Sequence, residues 1–336
     1  DYAEAYNNKG NALKEKGEYQ RAAECYKKSI NLDPNFTDAI TNLGIIWDLM
    51  NDFIKSERYF RQALTQDPRN TSTLYNLANC LFNARQYNKT IEVCKKIIDL
   101  DRSFYHAYNR IGLCHIQLEN VEQAIDFFKK SIKIKPDYLE GLTNYGFALQ
   151  KLKNYSLAAV QFEKVLSLDP SSEEAFVNLT KVYFEDGHLL KAIEVARQGL
   201  VYRPKNVPIL KNLISSLTIL NRLDEALEAC KEILSINSDD AETINMMGTV
   251  YEKKGFYDQV LNEFEQNKNA DVITFMMEDE NGNLFKDYTN ISKHNKKSIR
   301  EVNSVVIAFR REVIVKNNIQ FDPLFGLGGT FVTCLL

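Results

Sequence analysis

The chain has 336 residues, 44% of them apolar, and sets 42 Lys and Arg against 45 Asp and Glu for a formal net charge of -3. That interspersed balance leaves no basic footprint for nucleic acid, and no apolar run nears the roughly 20 residues of a membrane-spanning helix. With no charged-then-apolar leader, the expectation is a cytoplasmic or nucleocytoplasmic protein with no nucleic-acid and no membrane partner.

Taken in order, the first stretch is Ala3 to Phe36, AEAYNNKGNALKEKGEYQRAAECYKKSINLDPNF. Shifted by 34 residues it reappears from Thr37, Thr71, Tyr105, Leu139, Glu173, Val207 and Ala241, with no insertion or deletion. A period of this length marks one helical hairpin stacked repeatedly, which divides the chain into eight repeats, 3–36, 37–70, 71–104, 105–138, 139–172, 173–206, 207–240 and 241–274. In the first repeat Ala5, Tyr6, Ala12 and Leu13 recur at helical spacing until Gly17, predicting helix A over about Ala3 to Lys16. Tyr19, Ala22, Ala23, Tyr26 and Ile30 predict helix B, which ends at Asp33 because proline disfavours helical geometry in the residue before it. Neither short helix can bury its apolar face alone; the next hairpin must cover it.

The packing residues repeat in kind. Gly10, Gly44, Gly112, Gly146 and Gly248 share the eighth place of their repeats, with Ala78 standing in once, so that helix A approaches helix B closely. Ala22, Ala124, Ala158, Ala192 and Ala226 share the twentieth place, aromatic residues such as Tyr19, Phe53, Tyr87, Tyr155 and Tyr257 the seventeenth, and Pro34, Pro68, Pro136, Pro170 and Pro204 close their repeats. Cys94 and Cys230 occupy the twenty-fourth place, where other repeats carry Tyr26, Phe60, Phe128 and Phe162, while Cys80 and Cys114 share the tenth. Without any CxxC pair, these thiols read as reduced core residues rather than bridges or metal ligands. This alternation of small and large residues resembles the tetratricopeptide repeat, over about Ala3 to Thr274. The resemblance implies an all-α fold, a right-handed α-α superhelix or solenoid of helix-turn-helix repeats.

Two repeats depart from the pattern. The seventh has Ile214 at the small eighth place and Ser238 in place of proline, which predicts a splayed hairpin or loosened stacking. The eighth has Val260 and Asn267 at places usually small and buried, as expected of a capping repeat. Beyond Thr274 the period is lost. FMMEDENGNLF holds an Asn281-Gly282 turn signal for a short hairpin. Ser298 and Glu301 form a capping box before Val302, Val305, Val306, Phe309 and Val313, predicting a helix over about 299–316, with strand as its competitor because so many of these residues are β-branched. The chain starts at Asp1 and closes on the uncharged run LFGLGGTFVTCLL, as expected of a piece of a longer protein, with 275–336 as the start of a truncated domain.

The family resemblance further implies that helix A presents its sixth place, with the second, fifth, ninth, twelfth and thirteenth, to a concave groove. The sixth place reads Asn8, Asn42, Asn76, Arg110, Asn144, Asn178, Asn212 and Met246. An amide carries both donors and an acceptor and can hold a peptide main chain without reading its side chains. The line is similar to the asparagine ladder of O-linked N-acetylglucosamine transferases, where it holds the substrate's backbone; the competing reading is that these amides only bond neighbouring helices. With helices about 10 Å apart and a peptide advancing about 3.3 Å per residue, each rung serves about three residues. Beside the ladder, Ile45, Tyr75, Phe82, Leu113, Ile116, Phe147 and Phe184 fall at groove places as anchors for an apolar side chain, or else pack on one another. Groove charges are mixed, Glu4, Asp38, Asp48, Glu140 and Glu174 against Arg110, Lys151, Lys181 and Lys211, which disfavours a strongly acidic or basic ligand.

The family's clamp for a chaperone's C-terminal carboxylate is absent: Ser72 and Asn76 stand where cations are required, and shifting the frame so that Arg110 closes it leaves Thr41 and Ile45 where Lys and Asn belong. His106, His115, His188 and His294 show neither metal spacing nor a paired nucleophile, and Gly326, Gly328 and Gly329 make no phosphate loop. No catalytic residue, metal or cofactor is expected. The leading expectation is a non-enzymatic scaffold that binds an extended segment of a partner protein; the alternative is the substrate-recognition arm of a modifying enzyme, such as a glycosyltransferase, whose catalytic domain lies outside this sequence.

Overall fold

A computed structural model describes residues 2–254 together with three short strands, β1 (Val272–Ile273), β2 (Ile307–Phe309) and β3 (Thr333–Leu335). The described residues divide into two compact bodies, one ending at Leu168 and the other beginning at Asp169.

The first body holds five hairpins: α1 (Tyr2–Glu15) with α2 (Tyr19–Leu32), α3 (Thr37–Leu49) with α4 (Phe53–Gln66), α5 (Thr71–Asn83) with α6 (Tyr87–Leu100), α7 (Tyr105–Gln117) with α8 (Val121–Ile134), and α9 (Leu139–Lys151) with α10 (Tyr155–Leu168). The second holds α11 (Glu173–Glu185) with α12 (Leu189–Tyr202), α13 (Val207–Ile219) with α14 (Leu223–Ile236), and α15 (Ala241–Lys254). Each helix falls where the 34-residue register puts it. The second helix of the eighth repeat, including Val260 and Asn267, lies outside the described residues, as do the Asn281-Gly282 turn and the Ser298 capping box.

Why the helices pair so closely is visible at the eighth and twenty-fourth places. A Cβ added to Gly10 would stand 2.5 Å from Cε1 of Tyr26, and at Gly44, Gly112 and Gly146 the same atom would meet Phe60 at 2.7 Å, Phe128 at 2.5 Å and Phe162 at 2.8 Å. The ring of helix B lies directly on the bare backbone of helix A, and each of these aromatics is fully buried. Burying such a side chain contributes about 1.5–3 kcal/mol, so the glycine stabilises by the ring it admits.

Where helix B offers no ring, the eighth place grows. Ala78 stands with Cys94, Thr180 with Ala196 and Ile214 with Cys230, all of them buried. At the seventh hairpin Ile214 fills volume that an aromatic residue takes elsewhere, and both it and Cys230 are fully excluded from solvent. Among the described residues Cys25, Cys80, Cys94, Cys114 and Cys230 are free and buried. Burial pushes the thiols of Cys114 and Cys230 up to about 12 and that of Cys80 to about 11, which keeps them protonated.

Every described A-to-B turn passes through one left-handed residue at the fifteenth place: Gly17, Asn51, Arg85, Glu119, Lys153, Gly187 and Asn221, with φ between 57° and 77°. The geometry lets the following N–H return to the helix, as Glu18 N does to Leu13 O at 2.9 Å. Helix B is pinned to helix A by hydroxyls at the twenty-seventh place: Ser29 Oγ donates to Ala3 O at 2.6 Å and Ser131 Oγ to Tyr105 O at 2.9 Å.

The strands revise the reading of the tail. β2 pairs antiparallel with β1 (Val272 opposite Phe309) and parallel with β3 (Ile307 opposite Thr333). Ile307–Phe309 therefore is strand where a helix was expected, in keeping with the β-branched residues around it; the rest of 299–316 lies outside the described residues. No helix among the described residues is long and apolar enough to cross a membrane.

Candidate functional site

The sixth-place residues lie on the A helices, half-buried except for the exposed Asn8. They divide by what their amides do. Asn42 Nδ2 donates to Asn7 Oδ1 at 3.0 Å and to Asn11 Oδ1 at 3.2 Å, Asn144 Nδ2 donates to Asn109 Oδ1 at 3.1 Å, and Asn212 Nδ2 donates to the Val177 carbonyl at 3.3 Å. In all three an acceptor at the fifth place of the preceding repeat is used, joined for Asn42 by Asn11 at the ninth, so these amides tie one hairpin to the next. Asn8, Asn76 and Asn178 make no such bond among the described residues and keep their donors and acceptor for other use. Met246 is half-buried on α15.

Asn11 is a junction: its Oδ1 also accepts from Tyr26 Oη at 2.8 Å, which joins the helix A face to the core ring that rests on Gly10. Burial pushes the Tyr26 phenol up to about 12, with the charges of Cys25 and Glu15 adding to it, so it remains a donor.

The Arg110 rung differs from the others. Its guanidinium carbon lies 4.8 Å from the Phe82 ring centre and 5.9 Å from that of Tyr75, so the cation rests against two aromatic residues of the preceding helix A. Arg110 Nε is buried with no hydrogen-bond partner, and so is Asn79 Oδ1 on α5. No ion pair to Arg110 exists among the described residues.

Next to it, Asn109 Nδ2 donates to Tyr138 Oη at 3.2 Å and to Glu140 Oε1 at 3.0 Å, while Tyr138 Oη donates to Glu140 Oε2 at 2.7 Å. His106 Nδ1 sits 3.3 Å from the same phenol oxygen. Glu140 is thereby committed to Tyr138 and Asn109. Burial lowers the His106 pKa, Glu140 opposes that shift, and Lys135 and Arg110 reinforce it.

The apolar anchors are not equivalent. Ile45 packs against the cluster of Phe60, Leu77, Cys80 and Leu81, and Tyr75 and Phe82 pack against that of Leu74, Ile111 and Cys114. Leu113, Ile116 and Phe184 are half-buried. Phe147 alone of the seven is exposed, at 43%, with Lys151 Nζ 5.3 Å above its ring. Of the charges on this face, Lys211 is held by Asp240 at 3.0 Å and Glu242 at 2.6 Å, and Asp48 accepts from Asn83 at 3.2 Å. Sequence reasoning passed over Asn79, Asn109 and Tyr138. The signal was the recurrence of polar residues at the fifth and ninth places, as in Asn7 and Asn11 of the first repeat.

Residues 3–36 match the family profile described as tetratricopeptide repeat, and residues 139–172 match a second profile of that description. Residues 53–131 match the profile of anaphase-promoting complex, cyclosome, subunit 3. Among solved structures, PilW, a type IV pilus biogenesis factor, is 17% identical with a TM-score of 0.56, covering 63% of this chain and 98% of its own. PilF of Pseudomonas aeruginosa is 17% identical with a TM-score of 0.53, over 62% of this chain and 96% of its own. A tetratricopeptide repeat protein of Parabacteroides merdae is 17% identical with a TM-score of 0.53, over 74% of this chain and 98% of its own. At such identity the likeness concerns the fold. No curated protein matches the chain by sequence.

Proposed function

The chain is a tetratricopeptide-repeat protein, and on that premise we propose that it serves as an interaction scaffold whose A-helix face in the first body binds an extended segment of a partner protein. The observation that carries this reading is the half-buried amide of Asn76, free of any hydrogen bond among the described residues and on the same repeated face as the exposed ring of Phe147. Such an amide gives and takes one hydrogen bond each with an extended main chain, at about 0.5–1.5 kcal/mol net per bond. An exposed ring with a lysine above it supplies the apolar anchor such a weak ladder needs. No step of chemistry is part of this reading: the scaffold presents a surface and the partner supplies the rest.

The test is a selection of short random peptides displayed on phage against the purified chain. Enriched peptides should lose affinity for Asn76→Ala and for Phe147→Ala, with far-ultraviolet circular dichroism unchanged, and should keep it for Ile54→Ala, whose side chain is exposed on α4. No enrichment, or equal binding by all three variants, removes the proposal.

A further inference from the structure

The first and third hairpins present the same three places with different chemistry. Asn7, Asn11 and Asn42 form a closed triad, in which the Asn42 amide satisfies both neighbours at 3.0 and 3.2 Å. Sixty-eight residues on, the same places are Tyr75, Asn79 and Arg110. Here the triad is open. Arg110 lies over the rings of Tyr75 and Phe82 instead of bonding Asn79, and the exchange leaves two orphans, a buried acceptor at Asn79 Oδ1 and a buried donor at Arg110 Nε. Leaving a buried polar atom unpaired is unfavourable, and more so when it belongs to a charged group. The first triad shows that these places permit a fully bonded arrangement, so the third hairpin departs from one that the repeat can form.

The nearby carboxylate does not close it. Glu140 takes Tyr138 Oη at 2.7 Å and Asn109 Nδ2 at 3.0 Å. The guanidinium also hydrogen-bonds the Tyr75 side chain, and its planar donor fork is of the kind that matches a carboxylate.

The geometry points to Arg110 as the seat for a side-chain carboxylate, an Asp or Glu within an extended partner segment. The inference rests on the peptide-binding reading above and gives it a chemical specificity. A single acid in an otherwise neutral segment suits a face whose other charges are mixed. The acid is an internal residue, not a chain terminus, because the remaining places of a terminal-carboxylate clamp are Thr41, whose Oγ1 lies 3.4 Å from Thr73 Oγ1, and the core-packed Ile45.

The experiment uses the peptides enriched by the same phage selection on the purified chain. They should share one Asp or Glu at a fixed position. In fluorescence anisotropy, Arg110→Gln should weaken such a peptide on the order of tenfold or more, while leaving its Asn or Gln analogue unchanged. Arg110→Glu should shift the preference at that position to Lys or Arg. If a variant does not fold, the acidic peptide and its amide analogue are compared on the unaltered chain, where the analogue should bind on the order of tenfold less tightly. Enriched peptides without a fixed acid, or equal binding of acid and amide analogues, overturn the Arg110 inference and leave the scaffold reading standing. Loss of binding on amidation of the peptide's C-terminus overturns it in favour of a terminal carboxylate, and no enrichment at all removes both readings.

Discussion

A methyl group on the Cα of Gly112 would lie 2.5 Å from Cε1 of Phe128, closer than two carbons tolerate, whereas Ala78 carries that methyl opposite Cys94 with both residues fully buried. The two pairs fill one site with volume taken from opposite helices.

Gly112→Ala should therefore destabilise by about 1–3 kcal/mol through overpacking, despite the higher helix propensity of alanine. Phe128→Cys alone should cost about 3 kcal/mol or more by leaving a cavity. The double variant recreates the pair found in the third repeat and should be less destabilised than the sum by a coupling of about 0.5–3 kcal/mol. Urea unfolding of the four proteins decides it; strict additivity would refute the exchange.

Lys153 is exposed and holds φ at 57°, as Arg85 does. A side chain in that region costs about 1–3 kcal/mol, and glycine gives back about 0.5–1 kcal/mol through the unfolded chain. Lys153→Gly should accordingly raise stability by about 1 kcal/mol, within a range of about 0–2.5 kcal/mol. A lower melting temperature would show that the turn carries no such strain.

The ladder amides should separate by role. Asn144→Ala removes a bond to Asn109 and should cost about 1 kcal/mol of stability, whereas Asn76→Ala, which breaks no hydrogen bond among the described residues, should be nearly neutral. Equal losses in thermal unfolding would contradict the division drawn between them.

Stability should decline on mild acidification. His106 and His115 have pKa values lowered chiefly by burial, with Lys95 adding to the shift at His115. As the pH falls through the ordinary histidine value of about 6.5, the unfolded chain takes up protons that the folded chain refuses, so folding weakens below that value and is unaffected above it. The melting temperature should drop between neutral pH and the lower end of that window, and drop less in His106→Gln. An identical pH profile in the variant would exclude His106 as a source.

Much of the fold was legible because each packing residue is written several times at one interval, so that Gly10, Gly44, Gly112 and Gly146 corroborate one another. At the seventh hairpin, weighing Ile214 against glycine at the same place did not reveal that it packs with Cys230 across the contact, both of them fully buried. Volume is conserved between helices, and a single place does not reveal it. The candidate site was legible only as a line of residues. Which amides the array consumes depends on side-chain direction: Asn42 and Asn76 are identical in sequence terms, yet one is bonded to Asn7 and Asn11 while the other makes no such bond. At 307–309 strand prevailed over helix because β-branched residues at helical spacing also satisfy a pairing edge.

The exchange of volume across each hairpin also sets rules for recombination. An A helix carrying Ile214 joined to the B helix of Phe128 would overfill the seam, and Gly112 joined to Cys230 would leave it hollow. The two helices of a hairpin are thus inherited as a pair, and a chimaera assembled from this chain has its workable crossover points in the loops between hairpins, such as that at Pro136, and not in the left-handed turns within them.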